Sequence, residues 1–196
     1  MQAISGKRIF IIFSFLFFSA SVTLAQNNFK LKYENSLVYA GIEVGSKGVK
    51  MSLLEIGKNA LTSGAFNILK DTSVNTDFIT FSQSSYQATV SGLSKLYEIA
   101  SKDLKIPAER IYTVISSGVK IQAEKDEKMG QVSQLINAFK LNINEPDRVV
   151  PVIDVKEEAR LSHLGIVPDS RRYTTFLIDI GSGNTCLLYT SDAADE

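Results

Sequence analysis

The chain has 196 residues, with 21 basic and 21 acidic side chains and a formal net charge of +0 at pH 7. This balance argues against nucleic acid and against an anionic membrane surface as binding partners. The only cysteine is Cys186. The preceding residues therefore contain no thiol for a nucleophile or a zinc site, a composition that suits an exported protein.

The first 25 residues have the pattern of a secretory signal peptide. Lys7 and Arg8 precede an uncharged run, residues 9–25, that is apolar and ends in small side chains. We therefore expect cleavage after Ala25 and an exported protein, either periplasmic or secreted. The alternative is an uncleaved anchor, because a run of about 17 residues approaches the length that spans a bilayer. Contact with a membrane is expected only in that case.

Strand and helix patterns alternate along the residues that follow. Residues 37–44 and 49–56 are apolar or alternating runs around the sequence GSKG and predict a hairpin, with a third strand near residues 65–69. The other predicted strands are residues 111–115, 149–153 and 173–180, and the predicted helices are residues 84–104, 121–139 and 156–164, the last closed by Gly165. This order indicates an α/β fold around a mixed sheet.

Periodic apolar residues predict the buried side of the first two helices. These residues are Tyr86, Val90, Leu93, Tyr97, Ala100 and Leu104 in the first helix, and Met129, Val132, Leu135, Ile136 and Phe139 in the second.

The last 11 residues, CLLYTSDAADE, resemble the translation of a sequencing adapter, and we expect residues 186–196 to be foreign to the fold. The alternative is a natural acidic tail. If the tail is foreign, the chain is an N-terminal fragment. We then expect one lobe at residues 26–165, a linker at residues 166–172, and only the first strand and loop of a second lobe at residues 173–185.

Two similar turns carry the strongest functional signal. In AGIEVGSKGVKM (residues 40–51) and in TFLIDIGSGNT (residues 175–185), an apolar run reaches an acidic residue, Glu43 or Asp179, and then breaks into glycine and serine. A carboxylate beside free backbone N–H groups suits a metal-linked phosphate. Two such turns indicate a phosphate held between two lobes.

The chain resembles the exopolyphosphatase and guanosine pentaphosphate phosphohydrolase family, within the superfamily of actin-like ATPases and sugar kinases. The resemblance rests on the two turns and on VIDVKEEARLSHLGIVP (residues 152–168), which is similar to the family's glutamate-bearing helix. It implies a ribonuclease H-like (actin-like ATPase) lobe with a mixed sheet, and a second lobe truncated after its first strand. We expect such a fragment to carry half a site and to be inactive by itself.

The resemblance also implies a role for each matching residue. Glu158 is expected to orient or deprotonate the water that attacks a terminal phosphate; the alternative is an ordinary solvated helix face. Glu43 and Asp179 are expected to hold Mg²⁺, the implied cofactor. The residues expected to bind phosphate are Gly45, Ser46, Lys47, Ser117, Gly118, Gly181, Ser182, Gly183, Asn184 and Thr185. Ser117 and Gly118, with Ser116, can equally serve the start of the following helix.

Three residues depart from the family pattern. Glu43 replaces the usual Asp, Ser182 replaces a Gly, and Lys47 replaces a small polar residue. Lys47 can add a charge for polyphosphate or simply occupy a solvated turn, and the sequence does not separate these alternatives. The only histidine, His163, is expected to be structural.

The implied function is an exported, Mg²⁺-dependent hydrolase that releases terminal phosphate from polyphosphate or another phosphoanhydride substrate. The alternatives are a catalytically silent relative that binds phosphate or polyphosphate, and an ATPase or kinase of the same superfamily. The full-length protein could also form a homodimer.

Overall fold

The computed structural model describes residues 29–180 and 185–189. The predicted signal segment lies outside these residues, as do Gly181, Ser182, Gly183 and Asn184. Within the described residues, no helix is both long and apolar enough to cross a bilayer.

A four-stranded mixed sheet with the order β3-β2-β1-β4 forms the centre of the fold. Its strands are β1 (Leu37–Val44), β2 (Gly48–Ile56), β3 (Phe66–Asn75) and β4 (Ile111–Ile115). β1 pairs antiparallel with β2 and parallel with β4, while β2 pairs antiparallel with β3. The prediction of an α/β fold that begins with a hairpin is confirmed.

The helices are α1 (Ala60–Ser63), α2 (Gln83–Glu98), α3 (Ser117–Lys125), α4 (Met129–Asn142) and α5 (Val155–Ile166). A π-helical turn, Ile99–Asp103, extends α2. Short 3₁₀ turns occur at Phe78–Thr80, Ala108–Arg110 and Asp169–Arg171.

The core lies between one face of the sheet and helices α2, α3 and α4. Alternate residues of each strand face this core, as the period of two requires. The buried strand residues include Ala40, Ile42, Val44, Val49, Met51, Leu53, Ile111 and Ile115, and they meet Leu93, Tyr97, Ala100, Val119, Val132, Leu135 and Phe139 from the helices. Every residue of the two predicted helix stripes is either buried in this core or packed against it.

The predicted single helix at residues 121–139 is wrong, because α3 ends at Lys125 and α4 begins at Met129. Glu127 between them has φ of 57°, in the left-handed region. The buried positions explain the break: Ala123 and Val132 are nine residues apart, about two and a half helical turns. One continuous helix would place these two side chains on opposite faces.

The predicted strand at residues 149–153 is also wrong. Only one isolated parallel bridge forms, between Val152 and Ile115. Pro151 accepts a hydrogen bond from the Ile115 N–H at 2.9 Å but has no N–H of its own to extend the ladder. β4 therefore has a largely open edge beside this segment.

Three further boundaries differ from the prediction. β3 runs to Asn75 instead of residue 69, and its added half is polar, as suits an edge strand. α5 continues through Gly165 to Ile166 before Pro168 stops it. The strand predicted from residue 173 begins at Phe176, because a turn in which Thr174 N–H bonds Arg171 C=O precedes it.

A second, two-stranded sheet lies beside α5. β5 (Phe176–Ile180) pairs antiparallel with β6 (Thr185–Tyr189), in the register Ile180 opposite Thr185. One strand was expected here, and β6 includes Cys186 and three more residues of the segment interpreted as foreign. The pairing of β5 with β6 shows that this sheet has one strand more than expected. It does not test whether residues 186–196 are foreign to the protein. Residues 190–196 lie outside the described part.

A buried carboxylate holds the segment that precedes β1. Glu55 is completely buried and accepts hydrogen bonds from the backbone N–H groups of Lys32 and Tyr33, at 2.9 and 2.7 Å. The Ser36 hydroxyl donates at 2.7 Å and the Asn67 amide at 3.4 Å. Burial raises the pKa of Glu55, but these hydrogen bonds outweigh it and lower the pKa to about 2.

We predict that Glu55→Gln destabilises the protein in a pH-dependent way. Because the folded pKa lies below the ordinary value of 4.5, the carboxylate contributes its full stability above that pH. The contribution is lost as pH falls toward about 2. The difference in unfolding free energy between the wild type and Glu55→Gln should therefore shrink from pH 6 toward pH 2. The exposed Glu34→Gln is the control, and a pH-independent difference for Glu55→Gln would contradict the prediction.

The tight end of the first hairpin requires glycine at position 48. A β-carbon there would lie 2.2 Å from the Val74 carbonyl oxygen, a backbone atom of the neighbouring strand. We predict that Gly48→Ala lowers the free energy of unfolding by roughly 1–3 kcal/mol, because the two strands must move apart. Gly41→Ala in the same hairpin is the matched control, since a β-carbon at Gly41 meets no atom within 4 Å. Equal melting temperatures for the two variants would refute this account.

Candidate active site

The parallel pairing of β1 with β4 determines where the candidate site forms. Val44 and Ile115 are register partners at the carboxyl ends of these strands, and the Ser116 N–H donates to the Val44 carbonyl at 3.0 Å. Residues 45–48 follow β1 directly, and α3 follows β4 directly. The turn and the helix start therefore lie side by side at one edge of the sheet.

The 45–48 turn is closed by backbone hydrogen bonds. Gly45 N–H donates to Gly48 C=O at 2.8 Å, and Gly48 N–H returns to Gly45 C=O at 3.3 Å. A β-carbon at Gly118 would lie 2.9 Å from the Ser46 hydroxyl oxygen. Gly118 thus allows the turn to approach the first turn of α3, and the structure brings together Gly45, Ser46, Ser117 and Gly118.

Glu158 joins this group from α5. The helix begins at the N-cap Asp154, whose side chain accepts from the Glu157 N–H at 2.8 Å. Glu158 lies one residue further on, and its Oε2 accepts the backbone N–H of Ser117 at 2.9 Å. The half-buried carboxylate therefore contacts the start of α3 and is more than a solvated helix face. Its neighbour Glu157 pairs instead with Arg160 at 2.8 Å on the exposed side.

Glu43 lies on the same side of the site. Its carboxylate turns back over the 45–48 turn, so that Oε1 would lie 3.2 Å from a β-carbon at Gly45. Glu43, Ser116 and Glu158 all line one cleft of about 1140 Å³. The cleft runs from these residues along β4, where Tyr112 and Val149 line it.

Lys50 is a cation of this cleft that the sequence reasoning missed. It lines the cleft and is the register partner of Glu43 across the β1–β2 hairpin. The GSKG turn could have predicted this position, because a tight hairpin around residues 45–48 sets residue 43 opposite residue 50.

Lys47 occupies the exposed tip of the turn. Its ammonium nitrogen lies 3.6 Å from Asp77 Oδ1, and both side chains are more than half exposed. Lys47 thus occupies a solvated turn, and its contact with polyphosphate stays a prediction.

The second predicted loop is only partly described. Asp179 and Thr185 lie in β5 and β6, at the two ends of the loop, where Asp179 pairs with Cys186 and Thr185 with Ile180. The predicted phosphate ligands Gly181, Ser182, Gly183 and Asn184 fall outside the described residues. β5 and β6 both pack against α5, the helix that carries Glu158. His163 of α5 is buried at this contact, with Nε2 3.4 Å from the Thr175 carbonyl oxygen.

A hydrogen-bonded cluster orders the far end of the cleft. Arg148 donates to Glu145 and to the Ile111 carbonyl, each at 2.7 Å, and the buried Tyr97 hydroxyl bonds both Glu145 and Arg148. Burial, reinforced by Glu145, raises the pKa of Tyr97 to about 12. Burial raises the pKa of Glu145, but the hydrogen bonds from Tyr97 and Arg148 outweigh it and lower the pKa. Arg148 is therefore fully engaged in holding the segment after α4.

The donor chemistry near the turn is compatible with Mg²⁺. Within the described residues, no three His, Cys, Asp or Glu side chains converge on one point. Mg²⁺ usually takes only one or two protein carboxylates and keeps water and phosphate as its other ligands. The half-buried Glu43, which lines the cleft beside backbone N–H groups that suit phosphate, fits that requirement.

No protein-family model and no curated protein matches the chain. Several solved structures do match it. A Ppx/GppA family member from Aquifex aeolicus has a TM-score of 0.54 and 18% identity, covering 80% of this chain and 48% of its own. An exopolyphosphatase-like protein has a TM-score of 0.55 and 15% identity, with coverages of 82% and 47%. An exopolyphosphatase from Cytophaga hutchinsonii has a TM-score of 0.51 and 14% identity, with coverages of 79% and 46%.

At these identities the likeness shows the fold. The chain has the mixed α/β fold of Ppx/GppA structures, as the resemblance in the sequence implied, and it spans about half the length of the structures it matches.

Proposed function

We propose that the whole protein is a Mg²⁺-dependent hydrolase that releases terminal phosphate from polyphosphate or a similar phosphoanhydride. One observation carries the proposal: the Glu158 carboxylate lies 2.9 Å from the Ser117 N–H and lines the same cleft as Glu43. A candidate base, a candidate metal ligand and the first turn of α3 thus share one edge of the sheet. The fold shared with solved exopolyphosphatases supports the same reaction class.

The proposed reaction is attack of water on the terminal phosphorus. Glu158 takes a proton from the water as the new P–O bond forms, the bridging P–O bond breaks, and the shortened chain leaves with the electron pair. The proton then passes from Glu158 to a released phosphate oxygen. The N–H groups of Gly45, Gly48 and Ser117 are already donated within the protein. The proposed donors to the phosphate oxygens are therefore the N–H groups of Ser46 and Lys47 in the turn and of Gly118 in α3.

Glu43 and Asp179 are the proposed ligands of the metal. When bound, Mg²⁺ neutralises negative charge on the phosphate oxygens. The protein itself supplies the cleft, the hydrogen-bond donors to the phosphate and the base.

Two alternatives remain. A silent relative is favoured by the position of Glu158, which already has a structural partner in Ser117. It is also favoured by Glu43, which replaces the Asp of the family pattern. An ATPase or kinase would share the fold, but the export proposed below argues against it, since nucleotides are scarce outside the cytoplasm.

We predict that Glu158→Gln in the whole protein lowers turnover of polyphosphate by roughly 10²- to 10⁴-fold, with binding retained. The glutamine oxygen can still accept the Ser117 N–H, but the amide cannot take a proton from water. Phosphate release and binding measured on the same preparations test this.

The matched control is the neighbouring Glu157→Gln, which we expect to stay within about two-fold of the wild type, because Glu157 faces Arg160 instead of the cleft. Asp179→Asn should change the Mg²⁺ dependence instead. Wild-type binding without phosphate release would favour the silent relative and remove the hydrolase.

The protein is further proposed to be exported, on the basis of Lys7, Arg8 and the apolar run at residues 9–25. We predict that the mature natural protein begins at Gln26. Mass analysis of protein isolated from its source measures this directly. A protein that retains Met1 and fractionates with membranes would instead support the anchor.

A further inference from the structure

We infer that the backbone N–H of Ser117 is the positioning group for the Glu158 carboxylate. The inference rests on the proposed function, because it concerns how the proposed base is held. The donor is a main-chain group of α3 and the acceptor is a side chain of α5, 41 residues away. Their hydrogen bond is therefore a tertiary contact between two helices.

The position of Ser117 at the start of α3 explains why its N–H can bond a side chain from another helix. Ser117 is the first residue of the helix, where backbone N–H groups have no intrahelical partner. The N-cap residues of α2 and α5, Ser82 and Asp154, accept hydrogen bonds through their side chains, but the α3 N-cap, Ser116, does not. Glu158 supplies an acceptor for this helix start from outside.

The same contact fixes the carboxylate. Oε2 lies 2.9 Å from the Ser117 nitrogen, at the N-terminus of α3, a place that suits the negative end of a side chain. Oε2 is used by Ser117, whereas Oε1 accepts no hydrogen bond from the part of the chain that the structure describes. One oxygen is anchored, and the other remains for water in the cleft. A glutamate side chain without the anchor would sample several rotamers, and small displacements of a catalytic group are costly.

The N–H can be deleted while the helix is kept. Proline has no N–H, and it is well tolerated at the first position of a helix. The residue before proline must be extended, and Ser116 already has φ of −69° and ψ of 161°. Ser117→Pro therefore removes the proposed donor and keeps an allowed backbone at the helix start. Because Ser117 is completely buried, the proline ring also occupies the space where the N–H meets Glu158.

The structure also offers a control that matches Ser117 in backbone conformation, although Ser117 is completely buried and the control position is exposed. Gln83 is the first residue of α2, and its N-cap Ser82 has nearly the same conformation, with φ of −76° and ψ of 158°. Gln83 is exposed and is not among the residues that line the cleft. Gln83→Pro reports the general effect of proline at a helix start.

The experiment measures phosphate release from polyphosphate by the whole protein. We expect Ser117→Pro to lower kcat by roughly 10- to 100-fold with little change in KM, and Gln83→Pro to leave both near wild type. Ser117→Ala keeps the N–H, so its kcat should exceed that of Ser117→Pro. In a Glu158→Gln background, Ser117→Pro should have no further effect on kcat, because the group that it positions is already disabled. A further loss in that background would mark a merely structural effect and overturn the inference.

The outcomes separate the inference from the proposed function. An active wild type with unchanged kcat in Ser117→Pro overturns the inference alone. An inactive wild type overturns the proposed function and, with it, the positioning role.

The hydrogen bond itself is tested without activity. Glu158→Ala should raise the hydrogen-exchange rate of the Ser117 amide at least about ten-fold, and Glu157→Ala should not. Equal exchange in the two variants overturns the inference regardless of catalysis.

Discussion

The parallel pairing of β1 with β4 is the constraint on which the rest of the site depends. Parallel strands bring their carboxyl ends to the same edge of a sheet, so the register of Val44 with Ile115 fixes the 45–48 turn beside α3. Gly118 then permits the close approach of Ser46. Backbone N–H groups from two separate segments are thereby concentrated at one place.

Charge is distributed unevenly along the cleft that starts at this edge. Near the turn, Lys47 lies beside Asp77 and Lys120 of α3 pairs with Glu124 at 2.5 Å. Lys50 lines the cleft opposite Glu43. The far end includes Glu109 and Asp147 among its lining residues. Both ends of the cleft therefore carry carboxylates. What distinguishes the end with Glu43 and Glu158 is the presence of main-chain N–H groups and of Lys50, which the proposed phosphate site would need to offset those charges.

The regular elements could be predicted from the sequence, because burial on one face imposes a period on strands and helices. The hairpin around GSKG, β4 and the buried stripes of α2 and α4 follow from that period. The predictions are wrong where one local feature overrides this period. Pro151 prevents a fifth strand, and the phase change between Ala123 and Val132 breaks one predicted helix into two. Pro151 and the spacing of Ala123 and Val132 can both be seen in the sequence. They act through strand pairing and helix packing, however, and not through the preference of individual residues for helix or strand.

The environment of each carboxylate could not be read from the sequence, because it depends on tertiary contacts. Glu55 has the sequence position of an alternating strand residue. The resemblance implied a role for Glu158, but nothing in the sequence indicated its contact with Ser117. In the fold, Glu55 is completely buried and accepts hydrogen bonds from four residues, which leaves it saturated and suits it to holding structure. Glu158 is half-buried and, from the described residues, accepts one hydrogen bond through one oxygen. The number of donors around each carboxylate, more than its burial, separates Glu55, which holds structure, from Glu158, the proposed base.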